Sequence, residues 1–405
     1  MGFLTRRVNI AQPAPASENA ALFEGYDYAR NSGGYTRAKV NINENSARSI
    51  ATAYRCANLI SDDIAMMPFQ QFQRIGRRVE HVKPDPITRN MAYLLEVQPN
   101  RWMTPFIFKK KVVDWMIFWG KAYIWEPPQA YRELFILNSS VTTPKLTKTG
   151  DLVYETMFPN GDKKILPSVE VTQLLLNPKA NGRDGQSVLE FARETLGRQL
   201  AAKNTQADIQ GNGLKAQGIM KMNATLDKQG RDKVREAYME SLSEPGGLAI
   251  LDNKVADFQT ITMKATDAQF IESMQLTDID ILNFFGVPAY KLNMGKEAYN
   301  SNEQKDIDYL KSTLDAYLVQ WEQAARLNWT PLTDQSFTYW KFIRESLLRT
   351  SAKARAELNE IKIRSGQASP NEAREVEDAS GYELGDDFYM TSNYQKIGAP
   401  QNAPA

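Results

Sequence analysis

The sequence predicts an α+β fold, on three observations. Apolar residues recur at helical spacing in several long segments, among them 46–64, 104–119, 185–211, 267–285 and 301–328. Between them, 69–82 and 121–176 are runs rich in β-branched and aromatic residues, broken by turn residues, the pattern of antiparallel hairpins. A chain of 405 residues, 42% hydrophobic and 10% aromatic, can also bury the cores of about two or three domains.

Taken in order, residues 1–45 carry NIAQPAPASENA and NSGGYTRAKVNINENS, without apolar periodicity, and read as a flexible N-terminal arm. Helix 46–64 places Ile50, Tyr54, Ala57 and Ile64 on one face, with Pro68 closing the segment. FQQFQRIGRRVEHV reads as a hairpin around IGRR. The next helix has Thr104 as N-cap, Pro105 at its first position, an apolar stripe of Phe108, Val112, Trp115, Met116 and Trp119, and Gly120 as its stop. That spacing favours a packed face over a base-stacking one, and Lys109, Lys110 and Lys111 read as a solvated cluster. AYIWEPP, ELFILN, TTPKLTKTGDLVYETMF and KKILPSVEVTQLLL form an antiparallel β layer. Helix 185–211 ends at GNG, a helix stop, since the P-loop spacing is absent. GIMKMN, a polar helix at 226–243 and GGLAILDNKVADFQTITM make a strand–helix–strand unit. Helices 267–285 and 301–328 follow, the first stopping sharply at FFGVP. The final third reads as helical, broken at Gly366 and Pro370, with a loose tail beyond 388.

Forty-nine basic against 48 acidic residues leave a net charge of +1, so no partner is attracted by bulk charge. The lone cysteine, Cys56, sits in IATAYRCANLI as a small buried residue, and the lone histidine, His81, lies in a charged hairpin as a surface residue. Together they exclude a disulfide framework and a zinc site of the usual kind. No apolar run of signal-peptide or membrane-spanning length occurs, which predicts a cytosolic protein with no membrane contact. HExxH, CxxC pairs, G-x-S-x-G and G-x-G-x-x-G are all missing, so a structural or binding role is expected, with no catalytic residue, metal or cofactor.

Charge is local instead. Residues 267–285 hold four acids and no base, residues 301–328 are net −2, residues 329–364 net +3 and residues 370–387 net −6. In a monomer these are ordinary solvated faces. Repeated around a ring, an acidic band repels a polyphosphate and a basic one holds it weakly and salt-dependently.

SIATAYRCANLISDDIAMMPF, LLEVQPNRWMTPFIF with FWGKAYIW, IQGNGLKAQGIM, AILDNKVADFQTI, and DAQFIE, ILNFFGVPAYKL and YNSNEQ in succession resemble the portal proteins of long-tailed bacteriophages. The motifs keep that family's order over about residues 46–330, and LLRTSAKARAEL and SPNEAREV extend them to about 380. The first 45 residues have no clear counterpart. The resemblance implies a portal fold assembled as a ring, usually of twelve subunits, around an axial channel at one capsid vertex. Double-stranded DNA would pass through it non-specifically, driven in by the terminase motor and leaving toward the tail. Major capsid and scaffold protein and a head-completion or tail-adaptor protein are the other implied partners, with assembly in the host cytoplasm.

Laid onto this chain, the resemblance implies a wing at 46–266, stem helices at 267–285 and 301–326, a clip at 286–300, a tunnel loop at 327–340, a wing return helix at 341–366 and a crown and tail at 367–405. At about 1.5 Å per residue the helical segments 267–285 and 301–328 span roughly 28 Å and 42 Å. Asp278, Asp280, Asp306 and Asp308 are the channel-lining candidates. Thr333, Asp334, Gln335 and Ser336 fall in the tunnel loop, and Val287, Pro288, Tyr290, Lys291 and Lys296 in the partner-docking clip. Lys341, Arg344 and Arg349 form a basic band. Two other classes stay open: a magnesium-dependent nucleic-acid-processing enzyme using the acidic clusters, and a virion adaptor without a channel.

Overall fold

The computed structural model describes residues 34–128, 131–211, 218–222, 227–233, 236, 255–260, 277–293, 302–347, 352–377 and 379–389. Its contacts define two compact units, one of residues 1–297 with 311–342 and one of residues 298–310 with 343–405.

The first unit opens on paired strands β1 (Gly34–Tyr35) and β2 (Asn41–Ile42), then helices α1 (Glu44–Arg48) and α2 (Ala51–Met66). Asn43 caps α1 reciprocally: Ser46 N–H donates to Asn43 Oδ1 at 3.0 Å and Asn43 N–H to Ser46 Oγ at 2.8 Å. Residues 34–45 therefore belong to the fold, which corrects the expected arm. Ile42 is fully buried, and Thr36 lies so close to Gly197 that a Cβ there would meet its methyl at 2.4 Å. Two-residue strands have no periodicity to read. Residues 1–33 lie outside the described residues. The buried row of α2 is Ala53, Cys56, Ala57, Ile60 and Ile64; Tyr54, one position off that row, is exposed.

Strands β3 (Phe69–Ile75) and β4 (Arg78–His81) form the predicted hairpin, with Gly76 at φ +61° in its turn. His81 is not free on the surface: its Nε2 lies 2.9 Å from Glu96 Oε1 at the end of α3 (Met91–Glu96). Helix α4 (Pro105–Trp119) has the expected ends, with Ile107 N–H donating to Thr104 Oγ1 at 3.3 Å and Gly120 at φ +72°. A Cβ on Gly120 would fall 2.4 Å from the Gln186 carbonyl carbon.

The solvated lysine cluster is corrected. Helix α4 packs against α2, so Lys109 is only 5% exposed and donates Nζ to the Met67 carbonyl at 2.5 Å. Burial pushes its pKa down to about 8. Lys110 pairs with Asp62, and Lys111 lies 3.6 Å from Asp114. Trp115 and Trp119, expected in the core, are half-buried; Trp119 Nε1 donates to Glu44 at 2.8 Å.

The β layer is two three-stranded antiparallel sheets. Strands β5 (Lys121–Trp125) and β6 (Phe135–Leu137) join β10 (Val171–Leu175), and β7 (Thr143–Leu146), β8 (Leu152–Met157) and β9 (Lys163–Pro167) form a meander. Tyr123, Leu137, Tyr154, Leu166 and Val171 fill their common core. Helix α5 (Val188–Gly211) follows, then β11 (Gly218–Met222), which pairs antiparallel with β12 (Val255–Thr260); residues 228–233 between them are helical.

Helix α6 is described over 277–285, the rest of the expected helix 267–285 lying outside the described residues. Helix α7 (Asn302–Tyr309), a π-helical segment (Leu310–Leu314) and α8 (Asp315–Trp329) occupy the expected second helix. Strand β13 (Thr338–Phe342) then adds to the hairpin in the order β13-β3-β4, with Thr338 opposite Gln73 and Phe342 opposite Phe69. Phe69, Trp321, Trp340 and Phe342 stack there, with ring centroids 4.3 Å (Phe69–Phe342) to 5.7 Å (Trp321–Phe342) apart.

That strand corrects two expected boundaries. Residues 327–329 end α8 and 338–340 are strand, so only 330–337 are irregular. The helix expected from 341 begins at Ala352. In TYWKF, Thr338, Trp340 and Phe342 point inward and Tyr339 and Lys341 outward, a period of two that belongs to a strand.

In the second unit, α9 (Ala352–Arg364) precedes α10 (Pro370–Val376). Ser369 and Glu372 cap α10 reciprocally, at 3.2 and 2.8 Å. Asn371 braces the loop that follows, donating to the Tyr382 carbonyl at 2.9 Å and to Asp386 Oδ1 at 2.7 Å and accepting from Tyr382 N–H at 2.9 Å. No helix among the described residues is long and apolar enough to cross a membrane.

Candidate functional site

The sharp stop at FFGVP is a Schellman turn. Gly286 takes φ +69°, its N–H reaches the Asn283 carbonyl at 3.2 Å, and Val287 N–H reaches the Leu282 carbonyl at 3.0 Å. Ile281, Leu282, Phe285 and Val287 are buried, so the turn is anchored by its apolar side, and Pro288 prevents the helix from resuming. Thr313 Oγ1 donates to the Gly286 carbonyl at 2.5 Å, and a Cβ on Gly286 would stand 3.1 Å from that oxygen.

The turn releases the chain into a 3-10 segment, Ala289–Leu292, closed by Asn293 at φ +58°. Of the clip candidates, Val287 is core, a correction that follows from its place in the Schellman contact. Pro288, Tyr290 and Lys291 are half-buried, with Lys291 Nζ 5.6 Å from the Tyr290 ring centroid. Lys296 lies outside the described residues.

Asp278 is not on an outward face. Thr52 Oγ1 donates to its Oδ1 at 2.6 Å and Gln199 Nε2 donates to the same oxygen at 2.5 Å, so the carboxylate joins α2, α5 and α6. Burial first, and this carboxylate second, push the nearby Cys56 thiol up to about 12. Asp280, two residues on, points elsewhere: its side chain is 53% exposed and Arg198 stands 3.9 Å away. In the second unit, Asp308 is exposed and accepts from Gln304 Nε2 at 3.2 Å, and Asp306 is half-buried.

Thr333, Asp334, Gln335 and Ser336 lie on the turn that joins α8 to β13. Arg326 in the last turn of α8 donates Nε and Nη2 to the Gln335 carbonyl, at 2.9 and 2.6 Å, and Trp340 Nε1 donates to Thr330 Oγ1 at 3.0 Å. Asp334 accepts Phe337 and Thr338 N–H on its carbonyl, at 3.1 and 2.8 Å. The turn borders a cavity of about 260 Å³ lined by Arg74, Arg326, Gln335, Ser336, Phe337, Thr338 and Tyr339, none of them acidic. Sequence reasoning missed both arginines. Arg326 carried a local signal, a base in a last helical turn, whereas Arg74 is brought there only by the β13–β3 register. Lys341 is exposed on β13, Arg344 is half-buried, and Arg349 lies outside the described residues.

The phage portal protein family model matches residues 51–378. Over 366 residues the chain is 25% identical to the portal protein of Enterobacteria phage HK97, covering 88% of this chain and 85% of that one. Over 419 residues it is 23% identical to the probable portal protein of Streptomyces phage phiC31, covering 95% and 87%. Among solved structures it is similar to an HK97 family phage portal protein from Corynebacterium diphtheriae, with TM-score 0.56 and 16% identity over 78% of this chain and 98% of that one. It is also similar to a chain in the neck of a native GTA particle computed with C12 symmetry, with TM-score 0.54 and 15% identity over 86% and 96%. The α+β portal fold expected from the sequence is therefore the fold observed. With the family match running from the first turn of α2 past the end of α10, the chain belongs to the phage portal protein family.

Proposed function

We propose that twelve copies of this chain close around an axial channel at one vertex of a tailed-phage capsid, and that double-stranded DNA passes through it. A terminase motor drives the DNA in, and it leaves later toward the tail. Family membership across residues 51–378 carries this reading. The chain itself makes and breaks no bond: ATP hydrolysis belongs to the motor, and no cofactor is needed. Capsid, scaffold and tail-adaptor proteins bind the same ring, which assembles in the host cytoplasm before becoming part of the virion.

A conduit must guide a polyanion without gripping it. B-DNA carries one negative charge per about 1.7 Å of axis, so a wall of repeated carboxylates keeps it from adhering. Asp280, Asp306 and Asp308 are offered for that role; Asp278 is not, because Thr52 and Gln199 hold its carboxylate between α2, α5 and α6. The turn at 330–337, with the Arg74 and Arg326 cavity behind it, and the basic residues Lys341, Arg344 and Arg349 supply transient, salt-sensitive contact. Pro288, Tyr290, Lys291 and Lys296 offer the docking surface for motor and adaptor.

The test is DNA packaging by rings carrying Asp280→Lys. Rings of normal size that package more slowly are expected. An unchanged packaging rate would take Asp280 off the channel wall, and wild-type protein that stays monomeric even with scaffold and capsid protein would overturn the conduit.

A further inference from the structure

The second unit exposes two apolar faces framed by opposite charge. On α9, Leu358 and Ile361 lie one turn apart and are 46% and 62% exposed. The same helix carries Lys353, Arg355, Lys362 and Arg364 against Glu357 and Glu360, a net charge of +2. The loop 379–389 exposes Tyr382, Leu384, Phe388 and Tyr389, with Leu384 at 68% and Phe388 at 62%. Around them stand Glu383, Asp386 and Asp387, with no base between 379 and 389.

This loop is braced. Besides the Asn371 bonds, Arg374 Nε donates to the Ser380 carbonyl at 2.7 Å, and Tyr389 Oη donates to the Leu384 carbonyl at 3.3 Å. Gly385 sits against Asn371 so closely that a Cβ would meet its Oδ1 at 2.2 Å. A fixed loop holding four large apolar side chains out of a core is a surface built for contact.

We propose that loop 379–389 of one copy docks on α9 of the next copy around the ring. Both faces are exposed in one chain, so neither covers the other within it. A symmetric pair joined through like faces would set acid against acid, whereas a ring repeats one contact between two unlike faces of the same chain. The acidic loop and the basic helix are such a pair. On α9 the Arg364–Glu360 pair, both 63% exposed at 3.0 Å, is a weak surface pair that an incoming carboxylate can exchange. The inference rests on the ring reading above.

The experiment is a charge exchange read by native mass spectrometry of ring assembly against protein concentration. Lys362→Glu with Arg364→Glu, and separately Glu383→Lys with Asp387→Lys, should each raise the concentration for half-assembly by about tenfold or more. The chain carrying all four substitutions, and a mixture of the two double variants, should return to within about threefold of wild type, which also shows that the substituted chains fold. Double variants that assemble like wild type, or a fourfold variant that does not recover, overturn the docking while leaving the ring reading standing. Wild-type protein that forms no ring overturns both. Protection of Lys362 from acylation in dilute monomer would mean that the chain's own terminal residues cover α9, and that too overturns the proposal.

Discussion

Replacing Asp278 by alanine separates a channel carboxylate from a structural one. The substitution removes the shared acceptor of Thr52 Oγ1 and Gln199 Nε2, at 2.6 and 2.5 Å, and leaves both donors on residues only 9% and 8% exposed. A hydrogen bond to a charged acceptor contributes about 1.5–3 kcal/mol, and half-burial of Asp278 lets water replace part of it, so the pair should cost about 3 kcal/mol. Asp280→Ala loses only a solvent-exposed pair with Arg198 at 3.9 Å and should stay within about 0.5 kcal/mol of wild type. Asp278→Asn keeps an oxygen at the shared position and should lose less than about 1 kcal/mol. Urea unfolding followed by tryptophan fluorescence, at one protein concentration for all variants, measures the differences. Equal stability of Asp278→Ala and wild type, or equal losses in the two alanine variants, would refute the internal clamp.

Two further outcomes follow from the same geometry. Gly286→Ala forces a side chain into φ +69° with its Cβ 3.1 Å from Thr313 Oγ1, and thermal melting should show a loss of about 1–2 kcal/mol; an unchanged melting temperature would remove the left-handed turn from the account. Burial holds Lys109 near 8 against an ordinary value of about 10.4, so the folded state releases its proton first and wild-type stability rises as pH climbs from about 8 to about 10.4. Below that window Lys109→Met escapes a penalty of about 3 kcal/mol and loses the bond to the Met67 carbonyl, for a net gain of about 1–2 kcal/mol at pH 7 that fades toward pH 10; a loss of stability at pH 7 would contradict this.

Much of the chain was legible because its signals are local. Thr104, Pro105 and Gly120 bound α4 through bonds that span three or four residues, and Gly286-Val287-Pro288 stops α6 through carbonyls three to five residues back. The ordered motifs of the family were likewise visible in one dimension. Residue roles were less so. Lys109 looked solvated until α2 covered it, and Val287 looked like a loop surface until it became the apolar half of a helix cap. TYWKF straddles the expected tunnel loop and return helix, split at Lys341, yet β3 supplied an edge along which all five residues pair as a strand.

The sequence by itself determined the ends of α4 and α6, the β3–β4 hairpin, the alternating charge bands and the family, since caps, turn residues and apolar periods act on their neighbours in the chain. Tertiary structure alone decided which acids are held inside: Asp278 and Asp280 are two residues apart, but Asp278 meets Thr52, 226 positions away, and Gln199, 79 positions away, while Asp280 stays half-exposed beside Arg198. A helix turns about 100° per residue, so two residues apart means opposite faces, and which face meets a partner is settled only when distant elements pack.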